Sequence, residues 1–297
     1  MAEVIFIGLS LGSILLLIAL GLSITYGAMG VINMAHGEMV MIGAYTTVMV
    51  QTHIGLNLLF AIPVAFVVAA LVGLLIERLV VRNLYGRLLD TLLATWGIGI
   101  LIQQCVRLEF GLSFFGLHIR GLGPGLQNVG VPAALSDPIP IGDFLLQPYR
   151  TFIIVLTVAL TLLTWWLMYR TAVGQQVRAI MRNPQMAASC GINVKRVNAW
   201  TFAYGSGLAG VAGVMMSGFK TVFPDMGTSM VVDGFLVVVV GGVGSLLGSL
   251  VASVGLGQVN GIVATVYNDI LARAFVFGLV IIVIMWRPKG LFSFKGR

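Results

Sequence analysis

Charge is what this chain of 297 residues has least of: ten acidic and seventeen basic side chains make up 9% of it. So few charges cannot solvate a globular surface of this size. A mean hydropathy of +1.03 and 59% hydrophobic residues lie outside soluble composition. A cytosolic enzyme and a DNA-binding protein are both excluded. The net charge of +7 does not reverse this, because sparse basic residues at span ends are what cytoplasmic loops of membrane proteins carry. Two cysteines, Cys105 and Cys190, are too few for a disulfide scaffold, and no Cys/His cluster has metal-ligand spacing. No Gly-x-x-x-x-Gly-Lys-Ser/Thr occurs; Gly241-Gly-Val-Gly-Ser245 lacks the lysine that a phosphate cradle needs, so this chain is not expected to hydrolyse ATP by itself. No carboxylate pair, Ser/His/Asp set or Cys/His set is evident either, which leaves no catalytic residues to propose and argues against hydrolysis.

What the chain does have is long apolar runs reaching the roughly 20 residues that a helix needs to cross a bilayer. Unsatisfied backbone groups in hydrocarbon are expensive, and no alternation of period two points to a barrel, so the runs predict a bundle of helices. Continuous candidates are 4–26, 56–80, 88–109, 151–169, 197–218 and 270–286, with more ambiguous stretches at 38–50 and 231–266. The fold class is therefore all-α: a polytopic membrane bundle of about eight segments with two glycine-broken segments, in a single transmembrane unit over 1–297. The first run follows Met-Ala-Glu with no basic region and no small-residue cleavage pattern, and is expected to stay as a span.

Basic residues orient the bundle. Arg78, Arg82 and Arg87 form one cluster; Arg170, Arg178, Arg182, Lys195 and Arg196 a second; Arg287, Lys289, Lys295 and Arg297 a third. The positive-inside bias puts all three, and the C-terminus, in the cytoplasm. The stretch 111–150 then falls on the outer face. It carries Pro124, Pro132, Pro138, Pro140 and Pro148, so an outer loop of about 111–149 is predicted rather than a span.

Two stretches break the helical pattern. Tyr26-Gly-Ala-Met-Gly-Val-Ile-Asn-Met-Ala-His-Gly-Glu38 places glycines, Asn33, His36 and a carboxylate where hydropathy is still high. Phe223-Pro-Asp-Met-Gly-Thr-Ser-Met-Val-Val-Asp-Gly-Phe235, four valines and the 241–245 glycine cluster form the other. Irregular backbone at membrane depth survives where it is buried in protein or lines a wet cavity, which points to a translocation path. Close helix packing through small residues is the simpler account of the glycines. Glu38 is read first as a cap on a helix starting after Gly37, and otherwise as a pathway carboxylate; Asp233 after Thr228 and Ser229 has the same two readings.

Between the second-cluster arginines lies Gly174-Gln-Gln-Val-Arg-Ala179, then Asn183, Pro184 and Gly191. Asn183 is a good N-cap, Pro184 suits the first helical position, and Gly191 suits the left-handed residue past the end. A short helix, about 184–190, is predicted, with Met186, Ala187 and Cys190 as a small apolar face for a partner.

These residues, with Thr201-Phe-Ala203, Leu208-Ala-Gly-Val-Ala-Gly213, Asn33-Met-Ala-His-Gly37 and the ending Arg287-Pro-Lys-Gly-Leu-Phe292, resemble branched-chain amino acid type ABC permeases over nearly the whole chain. Asp90-Thr-Leu-Leu-Ala-Thr-Trp-Gly97, Gln103-Gln104 and the 231–244 stretch are similar to the urea-transporting branch, although Gly234 stands where that branch has serine. The resemblance implies a multi-pass subunit of a bacterial inner (plasma) membrane importer, for urea or alternatively an amino acid. A stand-alone channel for small neutral solutes is the remaining reading. It also implies a second permease, two cytosolic ATPases that bind the ATP, and a periplasmic or lipoprotein solute-binding protein, with no cofactor on this chain and no nucleic acid. Pathway residues are expected at Asn33, His36, Glu38, Thr95, Gln103, Gln104, Asp233 and Ser245. ATPase coupling is expected through the cytoplasmic segment of about 171–194, at Gly174, Arg178, Ala179, Asn183, Pro184, Ala187, Ala188 and Gly191.

Overall fold

The computed structural model describes residues 2–141, 144–288 and 290–292. The first four helices are α1 (Ala2–Met29), α2 (His36–Met49), α3 (Leu58–Leu79) and α4 (Leu88–Arg107). A short α5 (Ala133–Ser136) and a hairpin of β1 (Ile139–Ile141) with β2 (Phe144–Leu146) follow. Then come α6 (Pro148–Arg170), α7 (Ala172–Arg182), α8 (Pro184–Ser189), α9 (Val194–Ser217), α10 (Met226–Gly241), α11 (Leu246–Val266) and α12 (Asp269–Trp286). Six of them, α1, α3, α4, α6, α11 and α12, are long and apolar enough to cross a membrane, and the molecule is the all-α bundle that its composition requires.

Every apolar stretch predicted to be helical is helical. The ambiguous 231–266 stretch resolves into two helices, α10 and α11, so the eight expected segments become nine. The split falls at Gly242 (φ 98°) and Gly244 (φ 76°), backbone conformations that glycine adopts without a Cβ penalty. Two of the nine are short. At 1.5 Å per residue, α2 (14 residues) and α10 (16 residues) reach roughly 21 and 24 Å, less than the ~30 Å of hydrocarbon.

At the centre runs α9, buried almost continuously from Val197 to Ser217 and wrapped by α1, α2 and α3. Lipid tails are as apolar as leucine, so hydrophobic burial does little to drive these helices together; small residues that let backbones touch do more. A β-carbon on Gly213 would overlap the carbonyl oxygen of Val40, and one on Gly43 that of Gly210. Likewise, Gly8 and Gly12 of α1 meet Gly257 and Gly261 of α11. Close packing therefore accounts for most of the glycines, including Gly27 against Gly244; the polar side chains beside them still require an explanation.

The bundle has two distinct ends. One holds α7, α8 and the start of α9, joined by the α10–α11 turn: Gly27 packs between Met181 and Gly244, and Leu291 N–H donates to Val240 O at 2.8 Å. The α3–α4 junction lies there as well. Its fully buried Glu77 accepts from the Tyr85 hydroxyl and from Arg82 Nη2 at 3.3 Å, and burial together with Glu77 raises the Tyr85 pKa. The first two basic clusters lie at this end together with Arg287 of the third; Lys289, Lys295 and Arg297 lie outside the described residues. The other end carries the described residues of 109–147, a connection without a span that holds only short turns, α5 and the β1–β2 hairpin; Pro124, Pro132, Pro138 and Pro140 lie in it, while Pro148 opens α6. His53 Nε2 donates to Arg120 O at 2.9 Å, and Gln51 pairs with the backbone of Gly130. The chain passes from this end to the basic end along α10 and returns along α11.

Besides the single-turn α5, α7 was not foreseen. α7 occupies part of what reads as a cytoplasmic loop, capped by Thr171 Oγ1, which accepts from Gly174 N–H at 3.2 Å. It buries Val177 and Ile180 and exposes Gln175, Gln176 and Arg182, a helical spacing that could have been read from the sequence.

Candidate functional site

The chain between α1 and α2 is irregular from Gly30 to Ala35, starting with Gly30 in the left-handed region (φ 64°). α4 clamps this break: Met34 N–H donates to Thr95 Oγ1 at 3.1 Å, while the Thr95 hydroxyl donates to Thr91 O at 2.7 Å. Asn33 is 3% exposed and its Oδ1 has no partner among the described residues. His36, fully buried, donates from Nε2 to Ile18 O of α1 at 3.2 Å, which fixes that nitrogen as the protonated one.

Glu38 lies in the first turn of α2, 3% exposed. Its Oε1 accepts from Gln103 Nε2 of α4 at 2.8 Å, and the same amide nitrogen donates to Thr228 Oγ1 of α10 at 2.8 Å. Its Oε2 is buried without a partner among the described residues. Glycines of both neighbouring helices make the room. A β-carbon on Gly99 would stand 3.4 Å from Glu38 Cγ, and one on Gly227 would stand 2.9 Å from Oε2 and 2.6 Å from Gly37 O. Thr228 is exposed, so the set opens to the surface between α4 and α10. Beyond it, Arg107 Nη2 binds both oxygens of Asp225 at 2.5 Å, tying the end of α4 to the start of α10. The result is a groove with α4 and α10 as walls and α2 with its broken lead-in as floor.

Four expected pathway residues, Asn33, Glu38, Thr95 and Gln103, are gathered at this groove. Four are not: His36 turns instead to Ile18 and Gly21 of α1, and three more lie elsewhere. Gln104 is exposed on the next position of α4, and Ser245 is an N-cap whose Oγ accepts from Gly248 N–H at 3.0 Å. Asp233 lines a separate cleft of about 550 Å3 with Arg150, Lys220, Asp269 and Arg273, its carboxylate 3.8 Å from Arg273 Nη2. The capping readings are corrected as well. α2 starts at His36 after Ala35, which makes no side-chain cap bond, and α10 starts at Met226, seven residues before Asp233. Neither carboxylate is a cap, so both are held by tertiary neighbours. Sequence reasoning missed Gly99, Gly227 and Thr228 as parts of the site, although the latter two lie in the second broken stretch it singled out.

At the basic end, α8 is as predicted: Asn183 Oδ1 accepts from Gln185 and Met186 N–H at 3.0 Å, Pro184 takes the first position, and Gly191 has φ 83°. Its expected docking face needs correction. Ala187 is buried against Met168, Val177 and Val197 of its own bundle, because the helix must cover the ends of the spans. Met186, Ala188 and Cys190 are exposed. In α7, Gly174 is buried where a β-carbon would overlap the carbonyls of Leu167 and Met168. Ala179 packs on the same cluster, and Arg178 lies over the Tyr169 ring at 4.9 Å.

A multi-pass bundle with a polar groove between short helices and an exposed helix pair at its basic end has the form of a transport permease. The sequence agrees: residues 4–285 match the family described as branched-chain amino acid transport system / permease component, and the chain belongs to that family. It is 32% identical over 300 residues to LivH, the high-affinity branched-chain amino acid transport system permease protein of Escherichia coli, covering 96% of this chain and 93% of LivH. Similarity to BraD of Pseudomonas aeruginosa, of the same description, is 28% over 299 residues, with 96% and 93% covered. LivM of Escherichia coli, a further permease protein of that system, is 24% identical over 300 residues, covering 95% of this chain and 67% of LivM. No solved structure matches the chain.

Proposed function

We propose that the chain is one permease subunit of an ATP-driven importer for branched-chain or related amino acids. The end-to-end similarity to LivH and BraD carries this reading. LivH and LivM are both described as permease proteins of one transport system and this chain resembles both, so its partner is a second, similar permease. The α4/α10 groove is this subunit's share of the pathway. The partner supplies the facing wall.

The basic end faces the cytoplasm by the positive-inside bias. Two separate ATPases bind ATP and dock on the exposed face of α7 and α8, where closure pushes the helix pair and shifts the bundle between its two states. A solute-binding protein delivers from the opposite, loop-bearing end. One observation favours a second reading, urea. Arg107 at the mouth of the groove is already paired with Asp225, so among the described residues the groove offers no free cation to the carboxylate of an amino acid. The experiment is to assemble the complex with its ATPases and binding protein in nanodiscs and measure ATP hydrolysis with leucine or urea. Stimulation by leucine is expected; stimulation by urea alone would replace the solute and keep the importer, and stimulation by neither would overturn the reading.

A further inference from the structure

Within the reading of this chain as an importer permease, on which this rests, we infer that Glu38, held by Gln103 and flanked by Thr228, binds an N–H-bearing end of the passing solute: an ammonium or an amide group. The hydrogen-bond inventory of the groove carries the inference. Gln103 has one NH2 group, and its two protons go to Glu38 Oε1 and Thr228 Oγ1, each at 2.8 Å. That leaves Glu38 Oε2 as an acceptor with no donor among the described residues, in a residue 3% exposed. Asn33 Oδ1, at the break leading into the same helix, is a second buried acceptor without a donor. A carboxylate oxygen and an amide oxygen accept and never donate.

Burying such atoms unfilled is costly, and a charged acceptor costs most. Arg107, at the mouth of the groove, is spent on Asp225, so among the described residues no basic side chain pairs with Glu38. The vacancies are therefore complementary to N–H groups, and an ammonium would also balance the charge. A carboxylate or phosphate end would meet only like charge there. Gly227 completes the argument, since no side chain of its own crowds Oε2: a β-carbon would stand 2.9 Å from it. Thr228, exposed at the edge, uses its oxygen to accept from Gln103, and its own proton remains available to a carbonyl oxygen of the solute.

The test uses the whole complex in proteoliposomes, with labelled leucine and labelled urea as probes. Solute moved and ATP hydrolysed are measured together. Glu38→Gln keeps the shape and can still accept from Gln103, but it turns the free acceptor into a donor. Solute carried per ATP is expected to fall by about tenfold or more, the scale of a lost charge-assisted hydrogen bond. An unchanged ratio overturns the inference, whether both rates stay normal or both fall together as a folding defect would make them. Thr228→Val, at an exposed position, decides the matter if the Glu38 variant fails to assemble: a several-fold fall in the ratio supports the site, and an unchanged ratio overturns it. A wild-type complex that moves neither probe would instead sink the importer reading, leaving the two failures distinguishable.

Discussion

Two carboxylates, Glu38 packed against α10 and Asp233 within it, are held in opposite ways. Glu38 rests against Gly227, 3% exposed, with a neutral amide on one oxygen and, among the described residues, no partner on the other. Asp233 sits two turns further on, its side chain 20% exposed, facing Arg273 across a cleft that also holds Arg150 and Lys220. In the sequence both look alike: a single acid among glycines and aliphatic residues in a broken apolar stretch. The difference lies in their neighbours. Asp233 has fixed counter-charges and needs no ligand, whereas Glu38 Oε2 has no donor among the described residues.

The strongest attempt to break this contrast is Gly227→Ala. The added methyl would crowd Glu38 Oε2 and Gly37 O, at a cost of about 1–3 kcal/mol for overpacking, and would cover the vacancy. Uptake by the assembled complex is expected to fall by about tenfold or more, and normal uptake would show that Oε2 needs no open space.

Paired and unpaired surfaces are equally distinct on α8. Ala187→Glu buries a charge against Met168 and Val177, costing about 3 kcal/mol or more, and should release α8 so that trypsin cuts faster after Arg182. Met186→Glu, at an exposed position, should leave the subunit's stability within about 0.5 kcal/mol while weakening ATPase association in a pull-down. Equal tryptic rates for the two variants would erase the assigned faces.

Asp233→Asn sharpens the comparison from the other side. Its pair with Arg273 is long and partly exposed, worth about 0–1 kcal/mol, and solute moved per ATP should stay within about twofold. A loss as large as that of Glu38→Gln would move the pathway to the cleft.

A third carboxylate, Glu109 in the loop after α4, has all the donors that Glu38 lacks. His118 Nδ1 at 3.0 Å and the Ile119 backbone N–H bind it, and the His118 bond, then the Ile119 bond, hold its pKa below the usual carboxylate value. A depressed folded-state pKa means that this contact supports the loop above the ordinary carboxylate range and is lost as pH falls through the lowered value. Hydrogen exchange at the Ile119 amide, corrected for its intrinsic rate, should accelerate only in acid; acceleration already near neutrality would contradict the assignment.

Several features were legible because they depend on residues near one another in the chain. The apolar runs dictate membrane helices, and the Asn183-Pro184 start and Gly191 end fix α8 through local backbone chemistry. The break at Gly30 could be read from glycine and polar residues in an apolar run. The first-choice capping roles for Glu38 and Asp233 failed because a cap is inferred from sequence neighbours, while these side chains are satisfied by groups on other helices. Thr228 escaped notice as a site residue for the same reason.

The sequence by itself determined a helical membrane bundle, its two broken stretches and its basic clusters, since hydropathy, glycine backbone freedom and charge are properties of the chain. Only the tertiary structure decided which polar groups meet. Glu38 and Gln103 are 65 positions apart and Gln103 and Thr228 are 125 apart, and glycine-to-backbone contacts between helices, rather than any local preference, bring them into one groove and leave one carboxylate oxygen without a partner among the described residues.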